Sequence, residues 1–139
     1  MANTIVNNKK ARFDYIIIDE YEAGISLKGW EVKSLRDGKG NIKESYATVK
    51  GSELILIGAH ISPLQNSNVT DESDSTRTRK LLMHRREINK IKSLIKEKGH
   101  TLVPLSMYWK NGHVKLSIGL AKGRKKQDKR SLIKERDWK

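Results

Sequence analysis

The sequence predicts a mainly β fold, and two observations carry that prediction. At least six short segments alternate apolar with polar residues or are rich in β-branched residues, whereas only two segments show helical spacing. Several of the extended segments are joined by glycine-bearing turns, which favours antiparallel pairing. Because a small antiparallel sheet avoids exposed edges by closing on itself, we expect an OB-like antiparallel β-barrel with flanking short helices.

The first half of the chain predicts four strands and one helix. Residues 14–19 form a β-branched run, and residues 23–27 alternate apolar with small or polar side chains, so we predict two early strands. Residues 30–36 predict a short helix with one buried side and one basic side, which ends before two glycines. Residues 46–49 and 54–57 then predict a hairpin.

The second half predicts a loop, a long helix and another hairpin. Residues 64–76 are polar and predict a mobile loop. Apolar residues recur at helical spacing over residues 78–98, and Gly99 follows where a helix-ending glycine is expected. The pair Asn111–Gly112 lies between two extended runs, residues 102–109 and 114–121, and is the strongest short-range hairpin signal.

The length of 139 residues allows one core, which we place in a domain of residues 1–121. Residues 122–139 form a basic C-terminal tail, and its first nine residues include no apolar residue. Such a segment cannot offset the entropy cost of ordering, so we expect it to be disordered in the free protein. Leu132, Ile133 and Trp138 lie beyond it, and we expect this part to fold on a partner.

Charge is the strongest compositional signal. The formal net charge is +13, and the excess of basic over acidic residues is +1 in residues 1–70, +6 in 71–121 and +6 in 122–139. A surface of this kind attracts polyanions and releases counterions on binding them, so the asymmetry predicts a nucleic-acid-binding face and a basic tail. Aromatic content is only 6%, which favours a folded RNA over an extended single strand stacked on aromatic rings.

The sequence offers no convincing catalytic or metal-binding constellation. There is no cysteine, and the four histidines are far apart without metal-ligand spacing. The acidic group Asp71, Glu72 and Asp74 lacks the pattern of a calcium loop, and residues 119–123 lack the spacing of a phosphate-binding loop. We therefore expect neither an enzyme nor a cofactor or metal. With no apolar run near the ~18 residues that cross a bilayer, we expect a cytoplasmic protein without a membrane partner.

Cations at the start of the predicted long helix support a nucleic-acid interface. Arg77, Arg79 and Lys80 would oppose the helix macrodipole there, at a cost of ~0.3–1 kcal/mol each. Phosphate binding by these side chains would offset that cost, so their presence favours a nucleic-acid interface. The alternative is that the helix begins a residue or two away from the predicted start.

Seven blocks in order resemble the small protein B family, also called SsrA-binding protein. They are residues 8–12 (NKKAR), 21–24 (YEAG), 29–36 (GWEVKSLR), 60–63 (HISP), 76–82 (TRTRKLL), 119–123 (GLAKG) and 128–130 (DKR). The resemblance implies an OB-like barrel that binds the tRNA-like domain of tmRNA. It also implies delivery of tmRNA to stalled ribosomes for trans-translation, with small-subunit RNA as the chief ribosomal contact and a monomer when free.

The resemblance also implies an RNA-binding set. Asn8, Lys9, Glu22, Leu82 and Lys115 match family positions tied to tmRNA binding. Supporting cations complete the predicted set: Arg12, Lys33, Arg36, Arg79, Lys80, Lys122 and Lys125. A carboxylate is repelled by phosphate, so Glu22 would accept from a base or ribose group or form a scaffold salt bridge. For Leu82, burial in the core competes with RNA contact.

The tail resembles the family segment that enters the ribosomal decoding region. Asp128, Lys129, Arg130 and Trp138 are its predicted contacts. Two residues depart from the family pattern, because Phe13 and Gln127 stand where histidine is found in other members. The family tail usually runs beyond the position of Lys139, so we expect a truncated tail here.

Three other functions fit parts of the pattern. A general single-strand RNA- or DNA-binding OB protein would discriminate weakly between folded and unstructured RNA. A ribosomal protein would remain on ribosomes at high salt without tmRNA. A small nuclease would degrade RNA in the presence of Mg²⁺.

Overall fold

Strands dominate the computed structural model, which describes residues 3–64 and 75–123. The helices are α1 (Lys9–Asp14), α2 (Gly29–Arg36) and α3 (Arg85–Lys98). The strands are β1 (Asn3–Asn7), β2 (Tyr15–Ile25), β3 (Gly40–Asn41), β4 (Tyr46–Lys50), β5 (Glu53–Ile57), β6 (His60–Ile61), β7 (Arg79–Leu82), β8 (Thr101–Lys110) and β9 (His113–Gly123). The protein is therefore mainly β with flanking helices, as predicted.

All pairings of the main sheet are antiparallel. The strand order is β1-β8-β4-β5-β7-β2-β9, and β8 also pairs with β9. The hydrogen-bonded neighbours thus form a circuit β8-β4-β5-β7-β2-β9-β8, and β1 joins it on β8. Strands β3 and β6 form a separate two-stranded sheet.

The core follows from the period-2 pattern of the strands. On β9, Val114, Leu116, Ile118 and Leu120 are buried, as predicted. The main core cluster, to which these four belong, includes Ile88 and Ile91 of α3, which joins that helix to the sheet. On the opposite side of the same strand, Ala121 is buried in a second, smaller cluster with Ala11, Val103 and Leu105. Residues Lys115 and Ser117 are left on the outer face.

The two predicted hairpins are confirmed. Lys50 pairs with Glu53 around a turn in which Gly51 has a φ of 66°. In the second hairpin Lys110 pairs with His113, and Asn111 and Gly112 have φ values of 53° and 79°. Two successive positive φ angles are the requirement of the turn that Asn-Gly favours.

The predicted helix over residues 78–98 is wrong at its start. Residues Arg79–Leu82 form β7, which pairs with β5 and β2, and α3 begins only at Arg85. Leu81 is buried because alternate residues of β7 point into the core. It lies seven residues before Ile88, a spacing that also fits one face of a helix, and this coincidence made the predicted helix too long. The end of the helix is as predicted, because Gly99 has a φ of 66° and donates to Ile95.

The two predicted early strands are one continuous strand, β2, of 11 residues. Its pairing with β9 shifts between Ile17 and Asp19, so Ile18 forms a bulge and is exposed. The break in the sequence pattern at residues 19–22 therefore reflects the exposed residues Asp19, Glu20 and Glu22 rather than a turn, while Tyr21 packs against the core. Sequence patterns did not predict β1 and α1.

Asn8 fixes the junction of β1 and α1 from a buried position. Its side-chain oxygen accepts from the Ala11 amide at 3.1 Å and caps α1, while Nδ2 donates to the Ile42 and Pro104 carbonyls at 3.1 and 2.9 Å. These bonds connect α1, the segment before β4 and strand β8. Asn8 is therefore part of the framework that positions α1.

Replacing Asn8 by alanine is expected to lower the free energy of unfolding by about 2 kcal/mol, because the cap is lost and two carbonyls lose their donor. Asn7→Ala, at an exposed neighbouring position, is the matched control and should change stability little. Thermal unfolding of the two variants measures the difference. Equal stability of Asn8→Ala and the unsubstituted protein would contradict the framework role.

Candidate nucleic-acid interface

Three strands place functional side chains together on the outer face of the sheet. Along β9, Lys115 pairs with Gly24 of β2 on one side and with Tyr108 of β8 on the other. Glu22 pairs with Ser117, the next outward residue of β9. Residues two apart on a strand share a face, so Glu22, Tyr108 and Lys115 lie on one surface.

Glu22 is held by two neighbours on β8. The Tyr108 hydroxyl donates to its carboxylate, and Lys110 Nζ lies 3.2 Å from both carboxylate oxygens. The scaffold salt bridge that the sequence left open is thus present. A carboxylate has about four acceptor sites, so these bonds leave capacity for a further donor from solvent or a ligand.

The ionisation states of this group follow from its contacts. The hydrogen bond from Tyr108 is the largest cause that lowers the pKa of Glu22, and Lys110 adds to it. Burial, followed by the bond to Glu22, raises the pKa of Tyr108. At neutral pH Glu22 is therefore ionised and Tyr108 keeps the proton that it donates.

Leu82 extends the same surface onto β7. It pairs with Gly24 and is 52% exposed, so it does not belong to the core. A Cβ atom at Gly24 would lie 3.3 Å from Leu82 Cβ, which means that the leucine occupies the space that a side chain at residue 24 would take. We call the group Glu22, Leu82, Tyr108, Lys110 and Lys115 the outer-face cluster.

Lys80 lies on the same side of β7 as Leu82. It is exposed, and its Nζ is 3.4 Å from Glu53 of β5. Exposed ion pairs of this kind contribute little stability and exchange readily with water. Lys80 can therefore reach a ligand on the outer face without a large loss of folding energy.

Arg79 occupies a different environment, and its predicted surface position is wrong. The side chain is fully buried, with Nε 2.7 Å from Glu31 of α2. Its other nitrogens donate to the Ala59 and Ser75 carbonyls at 2.8 and 3.1 Å. Arg79 faces inward because β7 is a strand and alternate residues point into the core, so its guanidinium joins α2 to β7.

Lys9, Arg12 and Lys122 lie at the other end of β2. All three are exposed, and Arg12 is 3.2 Å from Glu20. Lys122 pairs with Ile16, six residues from Glu22 on β2, which is roughly 20 Å along the strand. Lys9 also borders a cleft of about 650 Å³ between α1 and residues 40–43. Lys9 and Lys122 thus lie away from the outer-face cluster, whereas the Arg12 guanidinium reaches Glu20, two residues from Glu22 on the same face of β2.

Lys33 and Arg36 are exposed on α2, as the predicted basic side of that helix requires. The Arg36 guanidinium lies 6.0 Å from the centroid of the Trp109 ring, a cation–π distance. Trp109 packs against the core rather than on the outer face with Tyr108. Lys33 and Arg36 therefore form a third group of exposed cations, apart from the outer-face cluster and from the cations at the other end of β2.

Several predicted site residues lie outside the described residues. They are Lys125, Asp128, Lys129, Arg130 and Trp138. Most of the predicted loop over residues 64–76 and nearly all of the predicted tail also lie outside them. Within residues 3–64 and 75–123, no group of three metal-ligating side chains comes together, and no helix is long and apolar enough to cross a membrane.

Sequence reasoning missed Tyr108 and Lys110. A signal for both was present in the Asn111–Gly112 turn, because a two-residue turn sets Lys110 opposite His113 and therefore Tyr108 opposite Lys115. The contact with Glu22 required the pairing of β2 with β9, which a local pattern does not specify. The register of the hairpin alone would have placed Tyr108 beside Lys115.

The fold and the outer face define a small, basic, mainly β protein with flanking helices. The model of the SmpB protein family matches residues 5–139. The SsrA-binding protein of Ruthia magnifica subsp. Calyptogena magnifica is 60% identical over 136 residues, which cover 98% of this chain and 82% of the relative. The SsrA-binding protein of Ralstonia nicotianae is 54% identical over 135 residues, covering 97% and 91%. The chain belongs to the SmpB protein family.

The fold is also similar to that of a chain in a solved structure. A chain from the structure described as "tmRNA-SmpB: a journey to the center of the bacterial ribosome" aligns with a TM-score of 0.71 at 40% identity. The alignment covers 92% of this chain and 93% of that chain. The similarity therefore extends over nearly the whole length of both.

Proposed function

We propose that this protein is an RNA-binding adaptor that binds the tRNA-like domain of tmRNA and delivers it to stalled ribosomes for trans-translation. Membership of the SmpB family and relatives named SsrA-binding protein support the role. Similarity to a chain from a structure of tmRNA and SmpB in the ribosome supports the two partners, tmRNA and the ribosome. The observation that carries the proposal is the outer-face cluster.

Each member of the outer-face cluster has a chemistry suited to a folded RNA. Lys115 and Lys110 neutralise phosphates, and the Tyr108 ring offers a flat surface to a base or ribose. Glu22 accepts from a ribose hydroxyl or a base amino group, which phosphate-binding residues cannot do. Leu82 gives an apolar contact next to them. Together they read shape and hydroxyl groups rather than charge alone.

The remaining predicted residues act at other places. Lys80 and Arg12 extend the outer face, while Lys9 and Lys122 provide a second basic region and Lys33 and Arg36 a third. Lys125 is a further cation that we assign to RNA binding. Asn8 and Arg79 act through the framework, because both side chains are buried. Their loss would change RNA binding by displacing α1 or α2 rather than by removing a direct contact.

We further propose that the circuit of paired strands is an OB-like barrel, within a domain of residues 1–121. Lys122 and Gly123 of the predicted tail are the last residues of β9. We propose that the remainder, residues 124–139, is disordered when free and reaches the small-subunit RNA of the decoding region through Asp128, Lys129, Arg130 and Trp138. The free protein is a monomer and works in the cytoplasm, where ribosomes are. It binds and positions RNA without catalysing a reaction.

Replacing Lys115 by alanine tests the site. We expect about three- to tenfold weaker binding to the isolated tRNA-like domain at physiological salt. The slope of log affinity against log salt should become shallower by about one, because one phosphate contact is lost. Fluorescence anisotropy over a range of salt concentrations measures both quantities.

Lys39→Ala is the matched control, since Lys39 is exposed in the turn after α2 and its removal changes the net charge equally. It should leave affinity and slope nearly unchanged. If the two variants weaken binding equally, the effect of Lys115 is only that of net charge and the proposed site is wrong.

A further inference from the structure

Helix α3 has an unusual concentration of positive charge that the proposed site does not use. Its 14 residues include six basic side chains and two acidic ones. The basic residues are Arg85, Arg86, Lys90, Lys92, Lys96 and Lys98, and each is exposed. A net excess of four on one short helix gives a strong local potential for a polyanion.

The helix is oriented so that these cations face solvent. Ile88 and Ile91 are buried in the core cluster, and Ile95 packs against it. At 100° per residue, Arg86 and Lys90 lie on the opposite side from Ile88 and Ile95. They are four residues apart, so they lie one above the other on adjacent turns.

The cations of α3 have no carboxylate partners within the part of the chain that the structure describes. Ion pairs are found elsewhere in the described residues, including Glu20 with Arg12, Glu44 with Lys10 and Glu53 with Lys80. On α3, the polar contact of a basic side chain is that of Lys92, whose Nζ donates to the Gly51 carbonyl at 3.0 Å. Arg86 and Lys90 are therefore available to an external anion.

Part of the arrangement is unfavourable for the helix itself, although Glu87 in the first turn and Lys96 and Lys98 in the last turn suit the macrodipole. Arg85 and Arg86 are in the first turn, where cations oppose the macrodipole, and the N-cap residue His84 makes no side-chain capping bond. Arg86 and Lys90 are like charges at a spacing of four, as are Lys92 and Lys96, and such pairs destabilise a helix. A bound polyanion would reverse these effects.

The location of α3 connects it to the outer-face cluster. The helix begins three residues after Leu82, a separation of no more than about 10 Å along the chain. An RNA that lies on Leu82 and Lys115 thus passes close to the first turn of α3. The charge and the short separation along the chain together favour one occupant for both.

We propose that α3 is a second RNA-contacting surface, on which Arg86 and Lys90 bind backbone phosphates of the same tRNA-like domain that lies on the outer-face cluster. The inference rests on the proposed function and adds a surface to it. Because a helix face with cations on adjacent turns reads the backbone, it should contribute affinity for a folded RNA but little base specificity.

The test is the full chain with Arg86→Gln and Lys90→Gln together, against a matched variant with Lys39→Gln and Lys43→Gln, two exposed lysines away from α3. Binding to the isolated tRNA-like domain is measured across salt concentrations. The α3 variant should bind at least tenfold more weakly at physiological salt, with a slope shallower by about two, and the matched variant should change either value by less than half as much. Thermal unfolding should show no loss of stability, since a repulsive pair is removed.

An equal effect of the two double variants would overturn the inference, as would reduced binding to ribosomes with unchanged binding to the tRNA-like domain. Lys115→Ala in the same assay keeps the two proposals separate. If Lys115→Ala weakens binding and the α3 variant does not, only the α3 surface is wrong. If the α3 variant weakens binding and Lys115→Ala does not, the RNA lies on α3 rather than on the outer-face cluster, and the assignment of one RNA to both surfaces is overturned.

Discussion

Replacing Glu31 by glutamine is expected to lower the free energy of unfolding by about 3–5 kcal/mol, because the change leaves a buried guanidinium without its counter-charge. Glu31 and Arg79 are both fully buried, and their contact is 2.7 Å. Glu31 also accepts from Arg77 and from the Lys28 amide, so one carboxylate joins the start of α2 to β7. Thermal and urea unfolding measure the loss, which corresponds to on the order of 10 °C in Tm.

The same carboxylate predicts a pH dependence. Burial raises the pKa of Glu31, but the hydrogen bonds from Arg77, Lys28 and Arg79 outweigh it and the net pKa is lower than the ordinary value of 4.5. A carboxyl with a lowered folded pKa stabilises the fold above its unfolded pKa and loses that contribution as pH falls toward the folded value. Stability should therefore fall below about pH 4.5, and less steeply in Glu31→Gln.

The control for Glu31 is Glu53→Gln, which removes an exposed ion pair with Lys80. Exposed pairs contribute about 0–1 kcal/mol, so this variant should unfold close to the unsubstituted protein. If the two variants unfold at the same temperature, the buried ion pair does not stabilise the junction of α2 and β7.

Replacing Leu82 by glutamate is expected to reduce affinity for the tRNA-like domain tenfold or more with little effect on stability. The side chain is 52% exposed, so no core contact is lost. The new carboxylate lies across Gly24 from Lys115, on the surface that we assign to RNA. A negative charge there repels phosphates and competes for the lysine. Tenfold corresponds to about 1.4 kcal/mol of binding free energy.

Tyr46→Glu is the matched substitution, because Tyr46 is a large apolar side chain that is 49% exposed on β4. Both variants add one negative charge at an exposed strand position. A loss of affinity confined to Leu82→Glu would locate the RNA on the outer-face cluster. Equal losses would mean that net charge rather than position determines binding.

The sequence predicted the elements whose signals are local. The turn at Asn111–Gly112, the helix of residues 30–36 and the end of α3 at Gly99 depend on backbone preferences of a few neighbouring residues. Their structures are as predicted, because turn chemistry and capping act over one turn of chain.

The sequence failed where distant pairing decides the structure. Residues 79–82 have a pattern compatible with a helix, and the pairing with β5 and β2 makes them a strand. This changes Arg79 from a predicted surface cation to a buried partner of Glu31, 48 residues away. The argument from cations at a helix start applies instead to Arg85 and Arg86, where α3 begins.

The candidate site was predicted in part for the same reason. Glu22, Leu82 and Lys115 entered through family resemblance, and the structure places them side by side although they come from three strands. Tyr108 and Lys110 complete the group through a strand order that local patterns do not contain. The resemblance identifies individual residues. Only the pairing register of β2, β8 and β9 shows that they lie on one surface.

The most direct test of the proposed function is a salt titration of binding to the isolated tRNA-like domain of tmRNA, to an elongator tRNA and to an unstructured RNA of equal length. We expect the tRNA-like domain to bind clearly more tightly than both other RNAs at physiological salt. The preference should persist as salt rises, because shape and hydroxyl contacts are less screened than phosphate contacts. Equal binding of all three RNAs, with an affinity that disappears at high salt, would contradict the adaptor role and indicate a general single-strand nucleic-acid-binding protein.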